Sequence, residues 1–202
     1  YEIVSRDWSS DVCSSDLAKG IAPLLALACV GFTLYGGETI VQLLLIGYAV
    51  VTQRPPTLAN VAYGTHERQV LDFWRAESPR PTPLVFHIHG GGWVNGDKAR
   101  VTALERYLGA GISVVSINYR FVTQAIRAGV EPPVRWPLED AARALQFVRS
   151  RAAEWNLDST RIGATGGSAG ACSSLWLAFH DDRAEPDSPD PVRSEEHTSE
   201  LQ

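Results

Sequence analysis

The sequence predicts an α/β fold: a mostly parallel sheet with helices packed on both faces. Three observations carry this. Apolar runs of strand length alternate with segments of helical spacing. The connections between successive runs are long enough for crossovers. Two glycine-rich turns follow directly on two of the apolar runs, where the carboxyl ends of sheet strands would lie.

The elements follow in order. Residues 69–74 read as a short strand, and 84–89 (LVFHIH) as a strand covered on both faces, because the run is almost continuously apolar. Over 99–108, Val101, Leu104 and Leu108 recur at helical spacing, and Gly109 and Gly111 supply a stop. Asp97 would cap that helix, beginning near Lys98. Residues 112–117, rich in β-branched side chains, form the next strand. Pro137 stands where a first helical residue belongs. After it Leu138, Ala141, Ala142, Leu145, Val148, Ala152 and Trp155 make one apolar stripe, with Arg143, Arg149 and Arg151 on the solvated side. Residues 161–165 predict a third buried strand, and 169–179 a helix of small residues in which Cys172 is buried.

The chain has 202 residues, 45% of them hydrophobic and 20% charged, which is enough to build a core. Methionine is absent, so a fragment of a longer reading frame is expected. The two ends are related in an unusual way. Residues 193–202 (RSEEHTSELQ) reverse-translate into DNA whose opposite strand encodes WSSDVCSSDL, the sequence of residues 8–17. Two ends of one natural protein have no reason to be reverse complements, and the DNA matches a common sequencing adapter. Residues 1–17 and 193–202 are therefore expected to be translated adapter, set aside before fold reasoning. With them go two basic and seven acidic residues, which takes the formal charge from −5 to zero and leaves an insert spanning 18–192. Nothing in this balance suits a nucleic-acid partner. Cys13 also goes, and Cys29 and Cys172 suggest no disulfide.

Residues 18–55 are apolar in two blocks, 21–35 and 40–51, each short for a bilayer span and of the length of a signal-peptide core. An export signal is the expectation, hence a periplasmic or extracellular protein without a stable membrane span. A membrane anchor and a core helix or artefact are the alternatives. Pro55 and Pro56 then open the soluble domain, expected over 56–192.

The chemistry lies in two turns. Gly166-Gly167-Ser168-Ala169-Gly170 is a G-x-S-x-G pentapeptide, a weak signal alone but set between an expected strand and an expected helix. A nucleophile elbow needs that place and those small neighbours, because the turn is strained and brings strand and helix close together. An incidental serine in a glycine-rich turn is the alternative. His89-Gly90-Gly91-Gly92-Trp93 follows the LVFHI run. Three glycines in succession let backbone N–H groups face a substrate oxygen without obstruction, as the alkoxide of a tetrahedral intermediate requires. A phosphate-binding loop would end in Lys-Ser/Thr, and this one does not. His87 and His89 lack a third metal ligand, so no metal site is expected.

With these motifs the sequence resembles the α/β-hydrolase fold, specifically the carboxylesterases of the hormone-sensitive-lipase and feruloyl-esterase-like groups. The resemblance covers residues 61–182. It rests on HGGGWVNGDK (89–98), NYR (118–120), Asp140-Ala141-Ala142 and RIGATGGSAG (161–170). It implies Ser168 as nucleophile, the amides of Gly91, Gly92 and Ala169 as oxyanion hole, and His89 as the residue that orients the glycine loop. Trp93 would line the substrate cleft or anchor the loop. The family order is nucleophile, acid, histidine. His180 and Asp181 sit too far along the helix to serve Ser168, and His197 falls in the adapter segment, so the acid and base are expected outside the insert. The expected activity is hydrolysis of small or medium carboxylic esters through an acyl-enzyme, with a small-molecule ester substrate and no cofactor. Amide or peptide cleavage on the same fold, and a non-catalytic binding protein, are the rivals. Without the following strands, an open sheet edge is expected at 161–165 or beyond.

Overall fold

A computed structural model describes residues 54–181, 184, 185, 187–190 and 192–195. Residues 1–53 and 196–202, and with them most of the export segment expected over 18–55 and most of the expected adapter sequence, lie outside the described residues. The elements run β1 (Leu58–Ala62), β2 (Val70–Trp74), β3 (Thr82–Ile88), α1 (Leu104–Gly109), β4 (Ser113–Ile117), α2 (Val122–Arg127), α3 (Arg135–Ser150), α4 (Ala152–Trp155), β5 (Leu157–Gly166) and α5 (Ala169–Phe179).

The five strands form one sheet in the order β1-β2-β4-β3-β5. β3 pairs in parallel with β4 and with β5. β2 pairs antiparallel with both β1 and β4, so the sheet is mixed. The links over 63–69 and 75–81 explain this: each is shorter than the dozen or so residues a parallel crossover needs.

Alternation along the central strands sorts side chains to two faces. Leu71, Phe73, Leu84, Phe86, Ile88, Val115 and Ile117 pack with Ala141, Leu145 and Val148 of α3, Trp155 of α4 and Leu177 of α5. Phe73 stacks on Trp155 at 4.7 Å. On the other face Trp74 and Val114 meet Val101, Leu104 and Leu108. Helices thus cover both faces, but short α1 leaves Val85 and His87 of β3 half-buried, where the sequence suggested full cover.

Several boundaries depart from expectation for local reasons. Ala103 is left-handed (φ 61), so α1 starts at Leu104 and Asp97 caps no helix. Its carboxylate instead accepts the Ala99 N–H at 2.8 Å and the Asn118 amide at 2.8 Å. α3 begins two residues before Pro137, within the first turn, where a missing N–H costs nothing. Arg143 and Arg149 are half-buried, not solvated, and donate to the carbonyls of Tyr63 and Ser159. β5 is longer than expected and lies at the sheet edge, with Arg161 and Gly163 exposed. Cys172 is exposed on α5, because it lies on the side turned away from the sheet.

Candidate active site

The parallel register pairs Ile88 of β3 with Gly166 of β5, so the turns that follow both strands start level on one sheet rim. Ser168 stands between β5 and α5 with φ 52 and ψ −119, a conformation that costs a non-glycine residue about 1–3 kcal/mol. It is exposed. Its neighbours must be small: a Cβ on Gly170 would collide with the Ile88 carbonyl, which is how α5 seats against the end of β3.

The glycine turn lies beside this elbow. A Cβ on Gly90 would come within 2.7 Å of the Gly167 carbonyl oxygen and 3.6 Å of the Ser168 Cβ. Gly91 has φ 100, open to glycine alone, and its carbonyl accepts N–H groups from Val94 at 3.1 Å and Asn95 at 3.2 Å. Gly92 follows at φ 61 and is exposed. Triple glycine and serine are therefore neighbours, with Ala169 at the first helical position next to Ser168.

His89 is buried under this turn. Its Nδ1 lies 2.8 Å from the Gly90 carbonyl and its ring stacks on Tyr119 with centroids 4.3 Å apart. Burial pushes the imidazole below its ordinary range, more than the Gly90 hydrogen bond raises it. Tyr119 donates its hydroxyl to the His89 carbonyl at 2.9 Å and to the Gly90 carbonyl at 3.3 Å. Burial pushes the Tyr119 phenol upward, so it remains a donor. The backbone at Tyr119 and Arg120 is held in turn. Arg68 donates to the Tyr119 carbonyl at 2.8 Å, and buried Asp140 accepts the Arg120 N–H at 2.8 Å and its guanidinium.

Trp93 is half-buried against the main core. Its indole N–H donates to Ser173 Oγ at 3.0 Å, and its carbonyl accepts the Val122 N–H at 2.9 Å. Of its two expected roles, these bonds favour the loop anchor. At the far end of the loop, Lys98 Nζ lies 2.9 Å from Asp72 Oδ2 in a buried ion pair, and the Lys98 N–H donates to Asn118 Oδ1 at 2.7 Å.

Sequence reasoning missed Ser173, Asp72, Arg68 and the part played by Tyr119. The motifs flagged Tyr119 and Lys98 by position, but no local pattern marks residues that meet across the sheet.

Among the described residues, Ser168 Oγ has no hydrogen-bond partner. His180 and Asp181 follow the far end of α5, about 16 Å along an eleven-residue helix. His87 lies 2.9 Å from Ser116 Oγ, on the α1 side of the sheet. No group of three or more His, Cys, Asp or Glu among the described residues has metal-binding geometry. A groove of about 650 Å³, lined by Pro83, Val85, Ile112 and Gly163, lies across the first half of β3 and the middle of β5, away from Ser168.

The BD-FAE family profile matches residues 71–200. Over 117 residues the chain is 32% identical to Esterase LipC of Mycobacterium tuberculosis, covering 55% of this chain and 27% of LipC. The acetyl ester-xyloside bifunctional hydrolase of Caldicellulosiruptor lactoaceticus superposes with a TM-score of 0.55 at 27% identity, over 64% of this chain and 45% of that one. Thermogutta terrifontis esterase 2 phosphonylated by cyclosarin gives 0.54 at 25% identity, over 66% and 51%. The chain spans 27% to 33% of the length of five curated relatives that it matches. With the elbow, the glycine turn and this match over most of its length, the chain belongs to the BD-FAE family, among the α/β-hydrolase carboxylesterases that its motifs resemble.

Proposed function

We propose that the protein carrying this chain is a serine hydrolase of small or medium carboxylic esters. Ser168 attacks the ester carbonyl, the N–H groups of Gly91, Gly92 and Ala169 hold the oxyanion, and water releases the acyl group from the enzyme. A histidine and an acid from outside the described residues move the proton. His89 orients the glycine turn: its Nδ1 is held at the Gly90 carbonyl and its ring is stacked on Tyr119, under the turn and not beside the serine hydroxyl. The observation that carries the reading is the approach of Gly90 to Ser168 at one sheet rim, with the serine strained and exposed. The esterase relatives support it, and one of the similar structures is phosphonylated.

The test uses the full-length protein that carries these residues. A fluorophosphonate should add one mass equivalent at Ser168, and Ser168→Ala should abolish both labelling and turnover of short-chain nitrophenyl esters. Faster turnover of the matched aryl amides would assign amide chemistry instead. A correctly folded protein that neither labels nor turns over either substrate would be a binding protein.

A further inference from the structure

The proposed oxyanion donors come from two segments far apart in sequence, the turn after β3 and the first turn of α5. A hydrogen-bonded relay joins them. The Trp93 indole N–H donates to Ser173 Oγ at 3.0 Å, and the Ser173 hydroxyl donates to the Ala169 carbonyl at 3.0 Å. Ser173 is 1% exposed and its bond to the Ala169 carbonyl is buried, so water does not compete for that bond. Trp93 is itself left-handed at φ 59, a conformation that a bulky side chain avoids unless its surroundings hold it there. Its hold is the Ser173 bond, the Val122 N–H on its carbonyl and packing against the core. Ser174 gives a comparison on the same helix. Its hydroxyl makes the same kind of bond, to the Gly170 carbonyl at 2.9 Å, yet receives no indole.

Building on the ester-hydrolase reading above, we infer that Trp93 and Ser173 are a positioning pair that sets the spacing between the two halves of the oxyanion site. Trp93 acts from the turn itself, next to Gly91 and Gly92; Ser173 acts one helical turn beyond Ala169. Neither contributes a group to the reacting atoms. Losing the indole N–H frees the glycine turn to drift from the elbow. Losing the hydroxyl leaves the indole N–H without its partner on α5 and has the same consequence. Because oxyanion donors act on the transition state more than on bound ester, the loss falls on kcat.

The experiment compares Trp93→Phe, Ser173→Ala, the double variant and Ser174→Ala in the full-length protein. Rates on a nitrophenyl ester are normalised to active sites titrated to completion with a fluorophosphonate, so a poorly folding variant is corrected for its folded fraction. Trp93→Phe and Ser173→Ala should each lower kcat about ten- to a hundredfold. KM should stay within about twofold, the pattern of an interaction made in the transition state. The double variant should be no worse than the poorer single one, and Ser174→Ala should match wild type. Wild-type kcat in both single variants, losses that multiply, or a change in KM alone would overturn the pair. Ser168→Ala separates the two levels. Residual turnover there overturns the hydrolase reading itself, whereas an inactive Ser168→Ala beside fully active Trp93→Phe and Ser173→Ala overturns the positioning pair alone.

Discussion

Gly90 and Ser168 sit so close that a methyl group on Gly90 would lie 3.6 Å from the serine Cβ and 2.7 Å from the Gly167 carbonyl oxygen. The second distance is one that real Cβ atoms do not show, and the obstacle is backbone, so the elbow must move. Gly90→Ala should therefore lower kcat on nitrophenyl esters by about a hundredfold or more, the cost of misplacing reacting groups by about 1 Å. Gly109→Ala is the matched control. Beyond its own turn of helix and chain neighbours, no atom lies within 4 Å of a Cβ built there, and rates should be unchanged.

The Lys98–Asp72 pair ties the end of the glycine loop to β2, with both side chains under a tenth exposed. Removing one partner leaves the other charge buried, which costs about 3–5 kcal/mol. Lys98→Met should show that loss as a lower urea midpoint. Replacing both, as Asp72→Leu with Lys98→Met, should recover much of it, because the stranded carboxylate is gone. Equal midpoints for the single and double variants would contradict this.

His87 predicts a pH dependence of stability. Burial pushes its imidazole down to about 4 from the ordinary 6.5, and neighbouring His89 adds to the shift. Between these values the unfolded chain binds more protons than the folded one, so stability rises with pH. It should be complete above about 6.5, fall as the pH drops through that window, and level off below about 4. His87→Gln should flatten the slope of urea midpoint against pH over the same interval. His89, shifted the same way, should keep some slope.

β5 pairs with β3 on one side and with no described strand on the other. An open strand of this length is a template for pairing with another chain. The 202-residue chain on its own should therefore form soluble oligomers or aggregates in light scattering and lack a sharp thermal transition. A monodisperse monomer with cooperative melting would refute this.

Burial leaves its trace along the chain, and there the sequence was legible. The bounds of α5, Ala169–Phe179, match the sequence expectation. The apolar stripe of α3 and α4 runs through Ala141, Leu145, Val148 and Trp155, as its spacing foretold, although the helix breaks at Arg151. The two glycine-rich turns were visible because both follow strands and need residues without side chains. β1 escaped notice for the opposite reason. LANVA is mostly exposed and is held by backbone bonds to β2, which leave no apolar pattern.

What the sequence by itself determined is the α/β architecture, the serine elbow and the triple-glycine turn. Each is a matter of local backbone geometry or of periodic burial, and a dozen residues suffice to specify it. The folded structure alone decided the rest. It set the place of β4 between β2 and β3, the exposure of Cys172, the clamp of Tyr119 on His89, and the meeting of Trp93 with Ser173, eighty residues later. These depend on which strand lies beside which, and in what register. That choice comes from the summed packing of the whole sheet, and no short stretch of chain encodes it.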